Sequence, residues 1–148
     1  MKSETIVKIV LLCAGLLATA IGLMLLTAPV TFYKGYDFGL AGNVDLLNEI
    51  RASSGGLLMC GLVITLGSFL KPLTYPASIV STCLYLSYGF SRLISMALDG
   101  TPSSGLVQAM VLEIIVGFAC ALCTLWCYRI SWSGMPRDAT FIQSRVHQ

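Results

Sequence analysis

Two charged residues, Arg92 and Glu113, lie inside apolar stretches that reach membrane-spanning length only if the charges are included. Residues 77–91 before Arg92 and residues 114–128 after Glu113 are each a run of 15 without a charged side chain. A transmembrane helix needs ~20 residues to cross ~30 Å of hydrocarbon. An ionisable group at that depth costs ~2.5–3.5 kcal/mol and marks a functional site by default. These two residues are therefore the first candidates for chemistry.

The two opposite charges are expected at nearly the same depth. The short link 99–105 makes the two runs antiparallel neighbours. At 1.5 Å per residue, Arg92 lies ~9 Å from the helix end at Leu98, and Glu113 lies ~10 Å from the helix end at Leu106. Pairing is the least costly way to keep both charges in lipid, so we expect an ion pair.

Polar residues recur at helical spacing in these runs, which places them on one face of each helix. The face predicted for the third run is Ser81, Tyr85, Tyr88, Arg92, Ser95 and Asp99. The face predicted for the second run is Glu49, Ser53, Gly56, Cys60 and Gly67. Membrane helices pack through small faces and turn polar groups inward, so we expect these faces to line a common interior.

The candidate site is therefore a charged cluster near one end of the bundle. Its members are Glu49, Arg92, Glu113, Tyr88 and Ser95, with Arg51, Asp99 and Tyr85 as secondary candidates. Arg51 lies two residues after Glu49 and points away from that face, so we expect its side chain to extend to the lipid headgroups.

Composition places these residues in a membrane protein. The chain has 148 residues, of which 56% are hydrophobic and only 11% are charged, whereas a soluble domain has about 25% charged residues. We predict an all-α integral membrane bundle of four transmembrane helices, followed by a polar tail at 129–148. The predicted helices are residues 6–26, 46–70, 77–98 and 106–128, with Pro76 opening the third.

The distribution of basic residues predicts the orientation. Both termini and the loop around Lys71 share one side, and that side carries six of the nine basic residues: Lys2, Lys8, Lys71, Arg129, Arg137 and Arg145. Positive side chains favour the cytoplasmic side. We expect a multi-pass protein of the cell inner membrane with cytoplasmic N- and C-termini. The aromatic loop 27–48, with Tyr33 and Tyr36, then faces outward at the headgroup level.

The remaining chemistry-bearing residues exclude several classes. All six cysteines lie in apolar runs, where a thiol is usually a small hydrophobic group, so we predict neither disulfides nor a metal site. The sole histidine, His147, is in the tail, which leaves no catalytic set. A net charge of +2 without a basic run does not indicate nucleic-acid binding. The sequence indicates no cofactor and favours a non-enzymatic protein.

Three functional interpretations stay open. The ion pair is either purely structural in an accessory or scaffolding subunit, or part of a pocket that binds a small polar, anionic or lipid-headgroup ligand. A proton relay through Glu113 and Glu49 is a further variant. A redox or quinone-associated component would use the cysteines with Tyr85 and Tyr88. The expected partners are the lipid bilayer, such a ligand, and a membrane-protein partner or a second copy of the chain.

Two motifs resemble a known family. They are Asn-Glu-Ile-Arg-Ala-Ser-Ser-Gly-Gly-Leu at 48–57 and Arg-Leu-Ile-Ser-Met-Ala-Leu-Asp-Gly-Thr-Pro-Ser at 92–103. With the placement of Glu113, they resemble a bacterial family of small four-helix membrane proteins catalogued as domain of unknown function 4345, over most of the chain up to Tyr128. The family pattern has an aromatic residue where this chain has Ser54. The resemblance implies a bacterial inner membrane and four helices, but no activity. The layout is more loosely similar to DoxX-like membrane proteins.

Overall fold

The protein is all-α, as predicted. The computed structural model describes residues 2–35 and 40–133, so Tyr36, His147 and the tail from 134 onward lie outside the described residues. Four long helices and one short helix account for nearly all of the described chain: α1 (Lys2–Thr27), α2 (Pro29–Phe32), α3 (Val44–Phe69), α4 (Lys71–Asp99) and α5 (Ser104–Ser133).

Three helices are long and apolar enough to cross a membrane. Within the described residues these are Glu4–Thr27, Val44–Phe69 and Ser104–Arg129, with mean hydropathies of 2.7, 1.6 and 2.3. Helix α4 has a similar length but falls outside this set. Polar side chains such as Ser78 and Ser81 are spread along it, and they lower its mean hydropathy. Both of these serines are fully buried. The chain therefore has the character of a membrane protein.

The helices form two antiparallel pairs that pack against each other. Helix α1 packs along α3 and α4 packs along α5, while α3 also contacts α4. The bundle therefore has an α4–α5 end, which carries the turn 100–103 and α2, and an α3–α4 end, which carries Leu70. The buried core lies toward the α3–α4 end: Val7, Leu11, Ala14, Ala18, Ile64, Ala77, Tyr85, Cys120 and Cys123.

Glycines bring α1 and α3 into close contact. Each of three glycines faces a larger residue of the other helix: Gly15 faces Thr65, Gly61 faces Thr19, and Gly22 faces Leu58. A Cβ on Gly61 would lie 2.5 Å from the backbone nitrogen of Thr19 and 2.6 Å from its Oγ1. This Oγ1 is buried and has no hydrogen-bond partner in the described part of the chain. The Gly61 hydrogen in the Cβ position points toward it, as in a weak Cα–H···O contact.

The third predicted helix begins earlier than expected. Leu70 is at once the C-cap of α3 and the N-cap of α4, and α4 starts at Lys71. Pro76 lies inside α4 instead of opening it, so that expectation was wrong. The Thr74 hydroxyl donates to the carbonyl oxygen of Gly67 at 2.9 Å, which ties the first turn of α4 to the last turn of α3. This contact between helices stabilises the first turn of α4, which the position of Pro76 did not predict.

The inward face of α3 also differs from the prediction. Its buried residues are Ser54, Gly61, Ile64, Gly67 and Ser68. Of the predicted face, only Gly67 is buried, whereas Glu49 and Gly56 are exposed. Buried Ser54 donates its hydroxyl to the Arg51 carbonyl oxygen at 2.9 Å, so it needs no partner on another helix. Polarity therefore did not indicate which face of α3 turns inward.

The Gly61 contact can be tested with a matched control on the same helix. A Gly61→Ala substitution places a methyl group against the α1 backbone, so we expect it to lower the free energy of unfolding by ~1–3 kcal/mol. Gly56 has no atom within 4 Å of its Cβ position, so Gly56→Ala should cause no loss. The measurement is unfolding in mixed micelles followed by circular dichroism. Equal stability of the two variants would contradict this packing.

Candidate functional site

Arg92 and Glu113 form a two-bonded ion pair between α4 and α5. Arg92 Nε donates to Glu113 Oε2 at 2.8 Å, and Arg92 Nη2 donates to Glu113 Oε1 at 3.2 Å. The side chains are 31% and 15% exposed. A guanidinium has five N–H donors, so three remain without a hydrogen-bond partner among the described residues. The pair thus neutralises both charges and still leaves donors free.

Close helix packing holds the pair in place. Gly89 lies one turn before Arg92, and a Cβ there would be 2.6 Å from Ile114 Cγ1. Gly117 lies one turn after Glu113, and a Cβ there would be 2.6 Å from Leu86 Cδ2. These two contacts keep α4 and α5 close at the level of the charges, so that the two side chains meet directly.

A cavity of about 190 Å³ adjoins the ion pair at the α4–α5 end of the bundle. All four long helices and α2 contribute to its lining. The polar lining includes Arg92, Glu113, Tyr85, Tyr88, Tyr33 and Ser53. Much of the remaining wall is leucine and isoleucine: Leu17, Ile21, Leu25, Leu57, Leu84 and Leu112. The cavity therefore has a polar region beside the ion pair and an apolar body.

Two tyrosines of α4 line this cavity and differ in the burial and the hydrogen bonding of their side chains. Tyr85 is buried, and its hydroxyl donates to the Ala14 carbonyl oxygen of α1 at 2.6 Å. Tyr88 is half-buried, and its hydroxyl has no hydrogen-bond partner within the described ranges. Tyr85 therefore joins the two helix pairs at the base of the cavity, whereas the Tyr88 hydroxyl is available to another molecule.

A second cavity of about 250 Å³ lies at the end of α4 and the following turn. Arg92, Ser95, Asp99 and Leu106 belong to its lining. Ser95 donates to Asp99 Oδ2 at 3.1 Å, and both residues are exposed. Arg92 and Leu106 line both cavities. The guanidinium thus lies between the inner cavity and the end of the bundle.

The structure does not bring Glu49 or Arg51 to this site. Glu49 is exposed and lines neither of the two cavities, because the inward face of α3 is rotated from the expected one. Arg51 is exposed, and its Nε donates to the Leu26 carbonyl oxygen at 3.3 Å. It therefore contacts the last turn of α1, where a positive charge is favourable.

Sequence reasoning missed part of the lining. Phe32 of α2 and Leu106 of α5 contribute to the inner cavity, and Phe32 packs edge-to-face on Tyr33 with ring centroids 5.0 Å apart. The predicted aromatic loop was a partial signal, because Tyr33 belongs to it. Nothing in the local sequence distinguishes Leu106 from other apolar residues of α5, so only the packing of the helices identifies it.

One of the cysteines, Cys120, belongs to a layer of polar side chains between α4 and α5. Ser81 Oγ donates to Cys120 Sγ at 2.8 Å, and the Thr82 and Thr124 hydroxyls lie 3.1 Å apart. All these bonds are internal to the helix pair. Within the described residues, no three histidine, cysteine or acidic side chains are grouped so that they could hold a metal ion.

Comparison with known proteins identifies a family without an assigned activity. No curated protein and no solved structure is significantly similar to the chain, and the similarity to DoxX-like proteins stays a prediction. The family described as domain of unknown function (DUF4345) matches residues 6–127. The matched segment includes the ion pair, Tyr85, Tyr88 and all the residues named above as lining the two cavities. With its helices and its charged pair inside the matched region, the chain belongs to the DUF4345 family.

Proposed function

We propose that the protein is a four-span integral membrane protein in which α4 crosses the bilayer together with α1, α3 and α5. Helices α3 and α5 both run antiparallel to α4, so they run in the same direction. If both cross a membrane, the chain must return between them, and α4 is the segment that joins them. Its 29 residues span ~44 Å at 1.5 Å per residue, which exceeds the ~30 Å hydrocarbon thickness.

The proposed location is the bacterial inner membrane, with both termini cytoplasmic and the α4–α5 end facing outward. This orientation follows from the basic residues at the α3–α4 side, Lys8 and Lys71 among them.

Reporter fusions test this topology. Alkaline phosphatase, which is active only outside the cytoplasm, should be active when fused after Thr101 and inactive when fused after Lys71, with the reverse pattern for green fluorescent protein. Matching activity at both positions would show that α4 does not cross the membrane. A full inversion of the pattern would contradict the orientation alone.

The proposed activity is non-enzymatic binding of a small polar, anionic or lipid-headgroup ligand in the inner cavity. The observation that carries it is a cavity of about 190 Å³ whose lining residues include hydrogen-bond donors without a partner. These donors are three N–H groups of Arg92 and the hydroxyl of Tyr88, which lack partners among the described residues. Polar groups in apolar surroundings are normally paired, so unused donors at a cavity favour a ligand.

An accessory or scaffolding role is the second candidate, because the geometry of the Arg92–Glu113 ion pair is that of a stable structural contact. Two hydrogen bonds and the glycine contacts at Gly89 and Gly117 suit a structural salt bridge that sets the register of α4 and α5. A redox or quinone-associated role ranks lowest, since the Tyr85 hydroxyl and the Cys120 thiol already bond within the fold.

Substitutions at the pair separate the first two candidates. We expect Arg92→Met, Glu113→Gln and the double variant to retain less co-purified small molecule, because each removes part of the polar wall. The measurement is mass spectrometry of the protein after mild purification, together with thermal stability in detergent. If binding is the role, the double variant should regain most of the stability that the single variants lose, because it leaves no charge unpaired, and it should still lack the bound molecule.

Glu49→Gln and Arg51→Met are the matched controls, since both residues are charged and lie outside the two cavities. They should leave the co-purified molecule unchanged. The scaffolding role would show the same loss and recovery of stability, but with nothing bound to the unaltered protein or to any variant.

A further inference from the structure

We propose that the inner cavity selects an apolar molecule with an electrically neutral, oxygen-bearing end and rejects one with an anionic end, because Glu113 already neutralises Arg92 in the cavity wall. The inference rests on the proposed binding function and narrows the ligand class. The chemistry concerned is a carbonyl, ester or hydroxyl oxygen attached to a hydrocarbon body. Its source is either a neutral glycerolipid or a free neutral molecule dissolved in the membrane.

The formal charge of the cavity lining is zero. Arg92 and Glu113 are the charged residues among those that line it, and they are bonded to each other at two points. The neighbouring cavity, which shares Arg92, adds the exposed carboxylate of Asp99. The linings of the two cavities together contain one guanidinium, Arg92, and two carboxylates, Glu113 and Asp99.

An anion gains little from such a pair. Placed against the free N–H groups of Arg92, it is attracted by the guanidinium and repelled by the Glu113 carboxylate that is bonded to that guanidinium, so the net Coulomb attraction is weaker than that of an unpaired arginine. It also loses its hydration on entering an apolar wall, and that loss is not compensated. Only displacement of Glu113 from Arg92 would restore the attraction, and this would leave the carboxylate unpaired.

A neutral oxygen fits the groups that remain. The unused groups beside the pair are donors, namely the three Arg92 N–H groups and the Tyr88 hydroxyl. A carbonyl or hydroxyl oxygen accepts from them with a small desolvation cost compared with that of an ion. The leucine and isoleucine side chains of the wall then contact the hydrocarbon part.

The size of the cavity limits how much of the molecule enters. A volume of about 190 Å³ is somewhat larger than an engineered protein cavity of ~150 Å³ that admits benzene. The neutral end and a short hydrocarbon segment fill this space.

Three probes with the same decyl chain test the selectivity in phosphatidylcholine nanodiscs. They are decyl acetate, which is neutral and has a carbonyl oxygen, decyl sulfate, which is an anion at any working pH, and decane, which has no polar end. Binding is measured by native mass spectrometry and expressed per mole fraction in the bilayer. We expect decyl acetate to bind at least about tenfold more tightly than decyl sulfate or decane, given the loss that an unpaired or repelled charge causes.

Monodecanoylglycerol tests whether the ligand is a neutral glycerolipid. If monodecanoylglycerol binds more tightly than decyl acetate, the ligand is assigned to that source.

The Glu113→Gln variant should invert this order. It leaves Arg92 without its counter-ion and gives the lining a formal charge of +1 while the shape is nearly unchanged. We expect decyl sulfate to gain about tenfold or more in affinity and to bind more tightly than decyl acetate. If this variant does not fold, the comparison of the probes on the unaltered protein decides the question.

Tyr88→Phe provides a second variant that removes no bond of the fold. It should weaken decyl acetate binding several-fold, whereas Tyr75→Phe, an exposed tyrosine of α4 outside both cavities, should not. Tighter binding of decyl sulfate than of both neutral probes by the unaltered protein would overturn this inference and leave the binding function in place. If no probe binds more tightly than decane and Tyr88→Phe has no effect, both the inference and the binding function are wrong.

Discussion

The need to partner two charges inside apolar helices is the constraint on which the α4–α5 end of the molecule depends. Arg92 or Glu113 alone would be costly among apolar side chains, whereas the pair removes most of the cost. Both bonds require the two helices to be close and in one register. Gly89 and Gly117, each about one turn from the pair toward the buried core, provide that closeness because they have no side chain between the helices.

The same bundle is packed at one end and hollow at the other. Toward the α3–α4 end, small and apolar residues such as Ala14, Ile64, Ala77 and Cys120 fill the centre. Tyr85 belongs both to this core and to the cavity lining, and its bond to the Ala14 carbonyl oxygen joins the two helix pairs. Beyond it, each pair stays tightly packed internally while space remains between the pairs. The ion pair borders this space, so Arg92, which has free donors, lines a cavity.

The inward face was easier to predict for α4 than for α3, because the polar side chains of the two helices find their hydrogen-bond partners in different places. On α4, Ser81, Tyr85, Tyr88 and Arg92 turn inward as expected, because an arginine or a tyrosine cannot satisfy its polar group on its own helix. On α3, Ser54 bonds to the carbonyl three residues earlier and is buried at no cost in unpaired groups. The polar pattern of α3 therefore gave the inward face only in part: Ser53 lines the inner cavity and Gly67 is buried, but Glu49 does not join the cluster.

The amino-acid sequence by itself determined the helical class, the number of long helices and the matching depth of Arg92 and Glu113, because helix rise and link length follow from residue counts. The start of α4 has a local signal, Pro72 in its first turn, but tertiary structure alone decided the bond that joins this turn to α3, from Thr74 to Gly67. It also decided the rotation of α3, the partner of the Tyr85 hydroxyl and the existence of a cavity beside the ion pair. Each of these depends on which residues of separate helices meet, and local spacing does not carry that information.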